Sequence, residues 1–132
     1  MRLWHEDLIR MLPRPQLLGQ HRECCALRGG GWGKKHATVN YVFDYHPLKL
    51  VRYHILIIEE MKNRGYNVDS LWENPTYRGK QTDPWDWDDE YEVMAHTRYD
   101  EHNDAYMTEC LDNLAEKGIM LEVGVKQADG LR

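Results

Sequence analysis

The stretch that decides the fold is PLKLVRYHILIIEEMKNRG, residues 47–65. Pro47 suits the first turn of a helix, because the N–H that proline lacks would have no partner there. Four apolar residues recur at the spacing of one helical face, namely Leu48, Val51, Ile55 and Ile58. Gly65 suits a helix end, because glycine readily adopts the left-handed backbone conformation. The stretch therefore predicts a helix over residues 47–64.

Upstream of this helix, the sequence predicts two shorter helical segments. Residues 3–12 have an apolar side, and Pro13 and Pro15 end that segment because proline lacks an N–H and restricts the residue before it. A second helix is expected over about residues 15–27, with Pro15 in its first turn. Residues 38–43 are too few to decide between a strand and a helical turn.

Downstream, residues 66–89 show little periodicity and predict a loop. A final helix is expected from about 89 to 117, because apolar residues at helical spacing precede Gly118. Residues 119–132 show no clear pattern and are a candidate flexible tail. The expected fold class is mostly α: a single compact domain over residues 1–132, with three main helices and long connecting loops.

The composition is typical of a soluble globular protein, since 42% of the 132 residues are apolar and 30% are charged. No apolar run approaches the 18 residues or so of a membrane span. Glu6 and Asp7 come too early for a secretory signal. Three cysteines, with Cys24 beside Cys25, do not suggest a disulfide framework, so we expect reduced thiols in a cytoplasmic protein.

The net charge of −5 hides a strong asymmetry along the chain. Residues 1–80 carry 13 Lys/Arg and 8 Asp/Glu, whereas residues 81–132 carry 4 and 14. A basic surface for an anionic partner would therefore come from the first 80 residues. Composition alone favours the simpler interpretation that both parts are solvated surface.

The second predicted helix carries a polar stripe, formed by Gln16, Gly19, Gln20 and Glu23. The stripe ends in a carboxylate, and Gly19 would let another backbone approach closely. A solvent-exposed helix face, with Arg22 as a surface partner of Glu23, produces the same pattern and is the more common case.

The glycine-rich stretch from Arg28 to His36 is the best candidate for phosphate contacts. Flexible backbone, the Trp32 ring and the two lysines Lys34 and Lys35 suit an anionic strand. Its spacing matches neither a Walker A loop nor a dinucleotide fingerprint. A plain basic surface loop is an equally good interpretation.

Metal and thiol chemistry are weaker hypotheses. No histidine or cysteine pair has CxxC or HExxH spacing, so no metal and no cofactor is expected. His21 and Cys24 on one helical face more often pack in a core than bind an ion. A nucleophilic role for Cys24 or Cys25 is similarly disfavoured, because thiols on an apolar face usually serve packing. The aromatic, acidic stretch 85–87 is expected to cover the core.

Several short motifs, taken in order, resemble the pyrimidine-dimer DNA glycosylases of the endonuclease V type. They are Met1-Arg2, Arg22-Glu23, Val42-Phe43-Asp44-Tyr45, the turn from Lys62 to Val68, and Tyr77-Arg78-Gly79. The stretch from Leu12 to Cys25 also resembles that of small bacterial relatives of this family. Each motif is weak alone, but their shared order spans most of residues 1–117.

The resemblance implies a cofactor-free DNA repair enzyme with glycosylase and abasic-site lyase activity on damaged double-stranded DNA, carrying pyrimidine dimers or abasic sites. In such enzymes the N-terminal amine attacks the sugar C1′, an iminium links enzyme and DNA, and β-elimination cuts the strand. Met1 would supply the amine and Glu23 the essential carboxylate. The expected substrate-binding residues are Arg2, Arg22, Arg28, Lys34, Lys35 and His36.

Two departures from the family set the alternative. Arg2 is too large to permit removal of the initiator methionine, so Met1 itself takes the nucleophile's place. The last third is acidic, and the segment 118–132 lacks the aromatic, basic character of the family's tail. We expect the acidic residues of 83–116 to face away from the duplex. The alternative is a catalytically inactive nucleic-acid or protein-binding module on the same fold; oligomeric state is left open.

Overall fold

The computed structural model describes residues 2–34, 38–86 and 97–121. Its main elements are α1 (Arg14–Arg28), α2 (Pro47–Asn63) and α3 (Asp104–Glu116). Three short 3-10 segments lie between or before them, at Glu6–Met11, Asn40–Asp44 and Ser70–Glu73. The described residues contain no strand, so the expected class of a mostly α fold with three main helices is confirmed.

Helix α1 begins and ends as its prolines and glycines predict. Pro13 is extended at its N-terminal boundary and Pro15 lies in the first turn, where a missing N–H costs nothing. At the other end, the Gly29 N–H donates to the Cys25 carbonyl and the Gly31 N–H to the Ala26 carbonyl. A Cβ at position 31 would lie 2.7 Å from the Ala26 carbonyl oxygen, so this return of the chain requires glycine.

Helix α2 is apolar on more than one side and packs against both α1 and a loop. Its main core face consists of Leu50, Tyr53, Ile57 and Met61. Leu48 and Val51, which belong to the face identified from the sequence, form a smaller cluster with Ile55 and Trp85. A helix with apolar residues on most of its sides is buried. The sequence therefore identified one apolar face of α2 but could not indicate which face packs against the main core.

The main hydrophobic core joins the N-terminal segment to all three helices. Leu3 and Leu8 meet Leu17 of α1, and Leu114 of α3 packs into the same cluster. Full burial of one such side chain stabilises a fold by about 1.5–3 kcal/mol. The core therefore holds the first residues of the chain firmly between helices that are distant in sequence.

The largest difference from the sequence-based expectation is the start of the third helix. It begins at Asp104, and residues 97–103 form turns and bends instead of helix. Asn103 sets the start, because its side chain accepts a hydrogen bond from the Tyr106 N–H. The other residues expected in this helix, 89–96, lie outside the described part of the chain.

The first residues of the candidate tail contact the rest of the domain. The Ile119 N–H donates to the Leu114 carbonyl, and Ile119 and Leu121 pack against the core. Residues 122–132 lie outside the described part. Within the described ranges, no helix has both the length and the apolar character needed to cross a membrane.

Candidate active site

Residues 2–5 form an extended segment whose backbone is held by side chains from all three helices. The Leu3 carbonyl accepts a hydrogen bond from the Tyr106 hydroxyl of α3. The Trp4 carbonyl accepts one from the Tyr53 hydroxyl of α2, and the His5 N–H lies 3.4 Å from the Cys110 sulfur. Buried backbone groups need partners, and here side chains supply the partners that a neighbouring strand supplies in a sheet.

Gln20 of α1 makes the contact closest to the start of the chain. Its Nε2 donates to the Arg2 carbonyl at 2.7 Å, and its Oε1 accepts from the Trp4 N–H at 3.1 Å. The Tyr53 hydroxyl lies 2.7 Å from the same Oε1. Gln20 is only 4% exposed, so these contacts replace the hydrogen bonds it would make with water.

Glu23 lies on the same face of α1 as Gln20, because residues three apart on a helix are neighbours. The residue is partly buried and its Oε2 atom is fully buried. Arg22, beside it, is exposed, and its guanidinium folds back over Gly19. Met1 lies outside the described residues, so its expected position near Glu23 stays a prediction.

Arg2 lines an open cavity of about 410 Å³ next to the N-terminal segment. Its guanidinium lies 5.8 Å from the centre of the Tyr106 ring and donates to Glu109 at 2.7 Å. The other residues around the cavity are Thr38, Tyr41, Glu101, Asn103 and Ala105. The cavity is large enough for a nucleobase-sized ligand.

Two residues of the acidic segment lie beside the basic N-terminal residues. Glu101 and Glu109 line the cavity together with Arg2, and the expectation that the acidic residues face away from a bound duplex stays a prediction. Arg2 and Glu109 are 107 positions apart, and the charge distribution along the sequence gives no sign that they meet. Glu109 is 57% exposed, so the pair is accessible to a competing anion.

Arg28 is 0% exposed and does not reach the surface. Its two terminal nitrogens donate to the carbonyls of Trp72, Asn74 and Tyr77 at 2.8–2.9 Å. Arg28 therefore ties the loop after α2 to the end of α1. Its guanidinium is not at the surface of the described structure, so its assignment to substrate binding stays a prediction.

The glycine-rich loop is more ordered than a flexible phosphate cradle. The N–H groups of Gly29 and Gly31 donate hydrogen bonds to carbonyls of α1. Trp32 packs edge-on against Phe43 and Trp85, with ring centres 4.9 and 5.9 Å away. Lys34 is exposed and remains a candidate phosphate contact. Lys35 and His36 lie outside the described residues.

The covering role expected for residues 85–87 is supported for Trp85. This ring packs against Leu48 and Val51 of α2 and lies 4.4 Å from the Arg78 guanidinium carbon. Trp87 lies outside the described residues.

His21, Cys25 and His54 form a cluster whose ligand atoms all lie within 4.8 Å of one another. Sequence spacing could not predict this cluster, because His54 lies on α2 whereas His21 and Cys25 lie on α1. Arg28 Nη1, which can only donate, lies 2.9 Å from His54 Nδ1. His54 Nδ1 must accept, so its Nε2 carries the proton and donates to His21 Nδ1 at 2.9 Å.

This tautomer does not suit a metal ion. The His54 nitrogen that faces the cluster is protonated, and metal-binding histidines donate their other N–H to an acceptor, whereas His54 faces a donor. Burial, followed by the charge of Arg28, holds the pKa of His54 well below its ordinary value. The same positive charge opposes a second cation, so the cluster is a hydrogen-bonded packing unit.

The thiols also fit structural roles. All three cysteines are free, and Cys24 and Cys110 are buried. Burial raises the pKa of Cys25 to about 11, so its thiol stays protonated at neutral pH. Because the thiolate is the nucleophilic form, the hypothesis of a cysteine enzyme loses its main support.

A family model described as pyrimidine dimer DNA glycosylase matches residues 1–74. The match covers more than half of the 132 residues and contains the N-terminal segment, α1 and α2. Helix α3, which supplies Glu109 and Tyr106, lies beyond the matched range. Neither the curated proteins nor the solved structures include a significant match.

Proposed function

Because the chain belongs to the pyrimidine dimer DNA glycosylase family, we propose that it is a DNA repair glycosylase with abasic-site lyase activity. We assign the nucleophile to the α-amine of Met1 and the essential carboxylate to Glu23. The single observation that carries this assignment is the rigid attachment of residue 2 to the Glu23-bearing face of α1. A Cα atom lies 3.8 Å from the next along the chain, so the amine is one peptide unit away from that attachment.

The proposed reaction exchanges one bond at a time. The free amine attacks C1′ of the damaged nucleotide as the glycosidic bond breaks and the base leaves with the bonding electron pair. The attached amine loses one proton, the C1′–O4′ bond of the sugar ring breaks as O4′ takes up a proton, and an iminium forms between the amine nitrogen and C1′. Removal of a C2′ proton then expels the 3′ phosphate by β-elimination. Glu23 takes up protons and stabilises the cationic iminium.

An α-amine suits this task at neutral pH. Its ordinary pKa of about 8 leaves roughly a tenth of it unprotonated at pH 7, several hundred times the fraction for a lysine with a pKa of about 10.4. The proposal therefore needs no buried lysine of lowered pKa.

Among the described residues that the sequence predicts to bind substrate, Arg22 and Lys34 are exposed and available for phosphate contacts. Arg2 joins them when a phosphate displaces Glu109 from its guanidinium. Lys35 and His36 remain candidate contacts from the sequence. Replacing Lys34 and Lys35 by alanine should weaken duplex binding and flatten its salt dependence.

Borohydride trapping on a duplex with one abasic site tests the proposal. Wild type should form a covalent adduct, and a protein with an acetylated N-terminus should not, although it binds the duplex normally. Glu23→Gln should lose strand cleavage with equal or higher affinity, because a negative charge near phosphates is removed. Binding without trapping by wild type would favour the inactive-module alternative.

A further inference from the structure

We propose that Gln20 is a positioning residue: its buried carboxamide fixes the backbone of residue 2, and through it the α-amine of Met1, relative to Glu23. This inference rests on the proposed function. It names a residue that acts on the reaction through the backbone and does not itself touch DNA.

The orientation of the Gln20 carboxamide is determined by its neighbours. The Trp4 N–H can only donate, so the atom facing it must be Oε1. The Arg2 carbonyl can only accept, so the atom facing it must be Nε2. The side chain thus pairs with residues 2 and 4 as a strand's peptide group would, and a flipped amide would lose both contacts.

The placement on α1 connects this clamp to the chemistry. Gln20 and Glu23 are separated by three residues, or about 4.5 Å along the helix axis. One rigid helix therefore carries both the carboxylate and the side chain that holds the backbone next to the amine. Misplacement of a reacting group by about 1 Å can cost on the order of 100-fold in rate.

Tyr53 provides a matched control, because it belongs to the same buried network but does not contact residue 2. Its hydroxyl lies 2.7 Å from both the Trp4 carbonyl and Gln20 Oε1. Tyr53→Phe removes this hydroxyl, but the Trp4 N–H and the Arg2 carbonyl still orient the Gln20 carboxamide.

The experiment measures single-turnover borohydride trapping on an abasic duplex, together with duplex affinity, for wild type, Gln20→Met and Tyr53→Phe. Gln20→Met should form the trapped adduct at least 30-fold more slowly, with a duplex affinity within twofold of wild type. The pH midpoint of its trapping rate should also shift, because the amine has moved relative to Glu23. Tyr53→Phe should stay within threefold of the wild-type rate with an unchanged midpoint. Equal losses in both variants, or wild-type trapping by Gln20→Met, would overturn the proposal.

A second variant keeps the test open if Gln20→Met does not fold. Gln20→Glu can donate to the Arg2 carbonyl only when protonated, so its rate relative to wild type should fall as pH rises from 5 to 8. A flat ratio contradicts the positioning role. If wild type itself fails to trap, the proposed function fails; if wild type traps at Met1 and the Gln20 variants match it, only this inference fails.

Discussion

Replacement of Arg28 by methionine tests the claim that this arginine holds the fold together. The guanidinium is fully buried and donates to three carbonyls and to His54 Nδ1, all at 2.8–2.9 Å. The three carbonyls belong to the 3-10 segment Ser70–Glu73 and to the turn that follows it, up to Tyr77. Methionine fills a similar volume but leaves all four acceptors without them.

The magnitude follows from the number of acceptors. A buried polar group that loses its partner costs about 1–3 kcal/mol. Four such groups would cost about 4–12 kcal/mol, which is comparable with the total stability of about 5–15 kcal/mol of a small domain. The loop is exposed enough at Asn74 for water to replace some donors, and the desolvation cost of the cation is also removed. We therefore expect a loss of about 3 kcal/mol in the free energy of unfolding.

Urea denaturation followed by far-UV circular dichroism and tryptophan fluorescence measures this loss. Fluorescence should report the site directly, because the Arg28 guanidinium carbon lies 5.0 Å from the Trp72 ring centre. The control is Arg22→Met on the same helix. Arg22 is exposed, so its replacement should change stability by less than about 0.5 kcal/mol while weakening duplex binding. An Arg28→Met protein within 1 kcal/mol of wild type would refute the reasoning.

Three further predictions follow from the site and the core. Glu109→Gln should leave the free energy of unfolding within about 1 kcal/mol of wild type. It should strengthen duplex binding about threefold to tenfold at low salt, because Arg2 loses its competing carboxylate. Equal or weaker binding by fluorescence anisotropy would contradict this. Stability should fall by at least about 1 kcal/mol from pH 6 to pH 5, since burial lowers the pKa of His102 to about 3 and also lowers that of His54. Unfolding lets His102 take up a proton, so stability present above pH 6.5 is lost below it at up to about 1.4 kcal/mol per pH unit, and His54 adds to the loss in the same direction. Equal urea midpoints at the two pH values would exclude the effect. Gly19→Ala should stabilise the fold by about 0.5–1 kcal/mol, because alanine favours the helix more than glycine does. A Cβ at position 19 has room, since the nearest described atom is Arg22 Nη2 at 3.9 Å. A lower melting temperature would show that another group occupies that space.

Local patterns predicted those parts of the fold that local interactions determine. Prolines and glycines placed the boundaries of α1 and α2 within a residue or two, because these residues act on their own backbone. The start of α3 was missed because apolar spacing extended the pattern upstream, whereas the Asn103 side chain sets the boundary.

Contacts between distant parts of the chain decide where the candidate site residues lie. Arg28 looked like a phosphate contact because it precedes a glycine-rich loop, but its partners are carbonyls 44 to 49 positions away. Glu109 looked remote from the N-terminus for the same reason. Gln20 was noted as part of a polar stripe, yet only the structure shows that it is buried and bonded to residues 2 and 4.

The polar stripe itself is a mixed case. Gln20 turns inward and Glu23 is partly buried, so the stripe is not simply a solvated face. Gly19 does not receive another backbone among the described residues, contrary to expectation.

The most direct measurement maps the covalent adduct. Wild-type protein, with its N-terminal residue verified by intact mass, is trapped with borohydride on an abasic duplex, digested with protease and nuclease, and sequenced by mass spectrometry. We expect the sugar remnant to be attached to the α-amine of Met1. An adduct on a lysine, or no adduct at all, would contradict it.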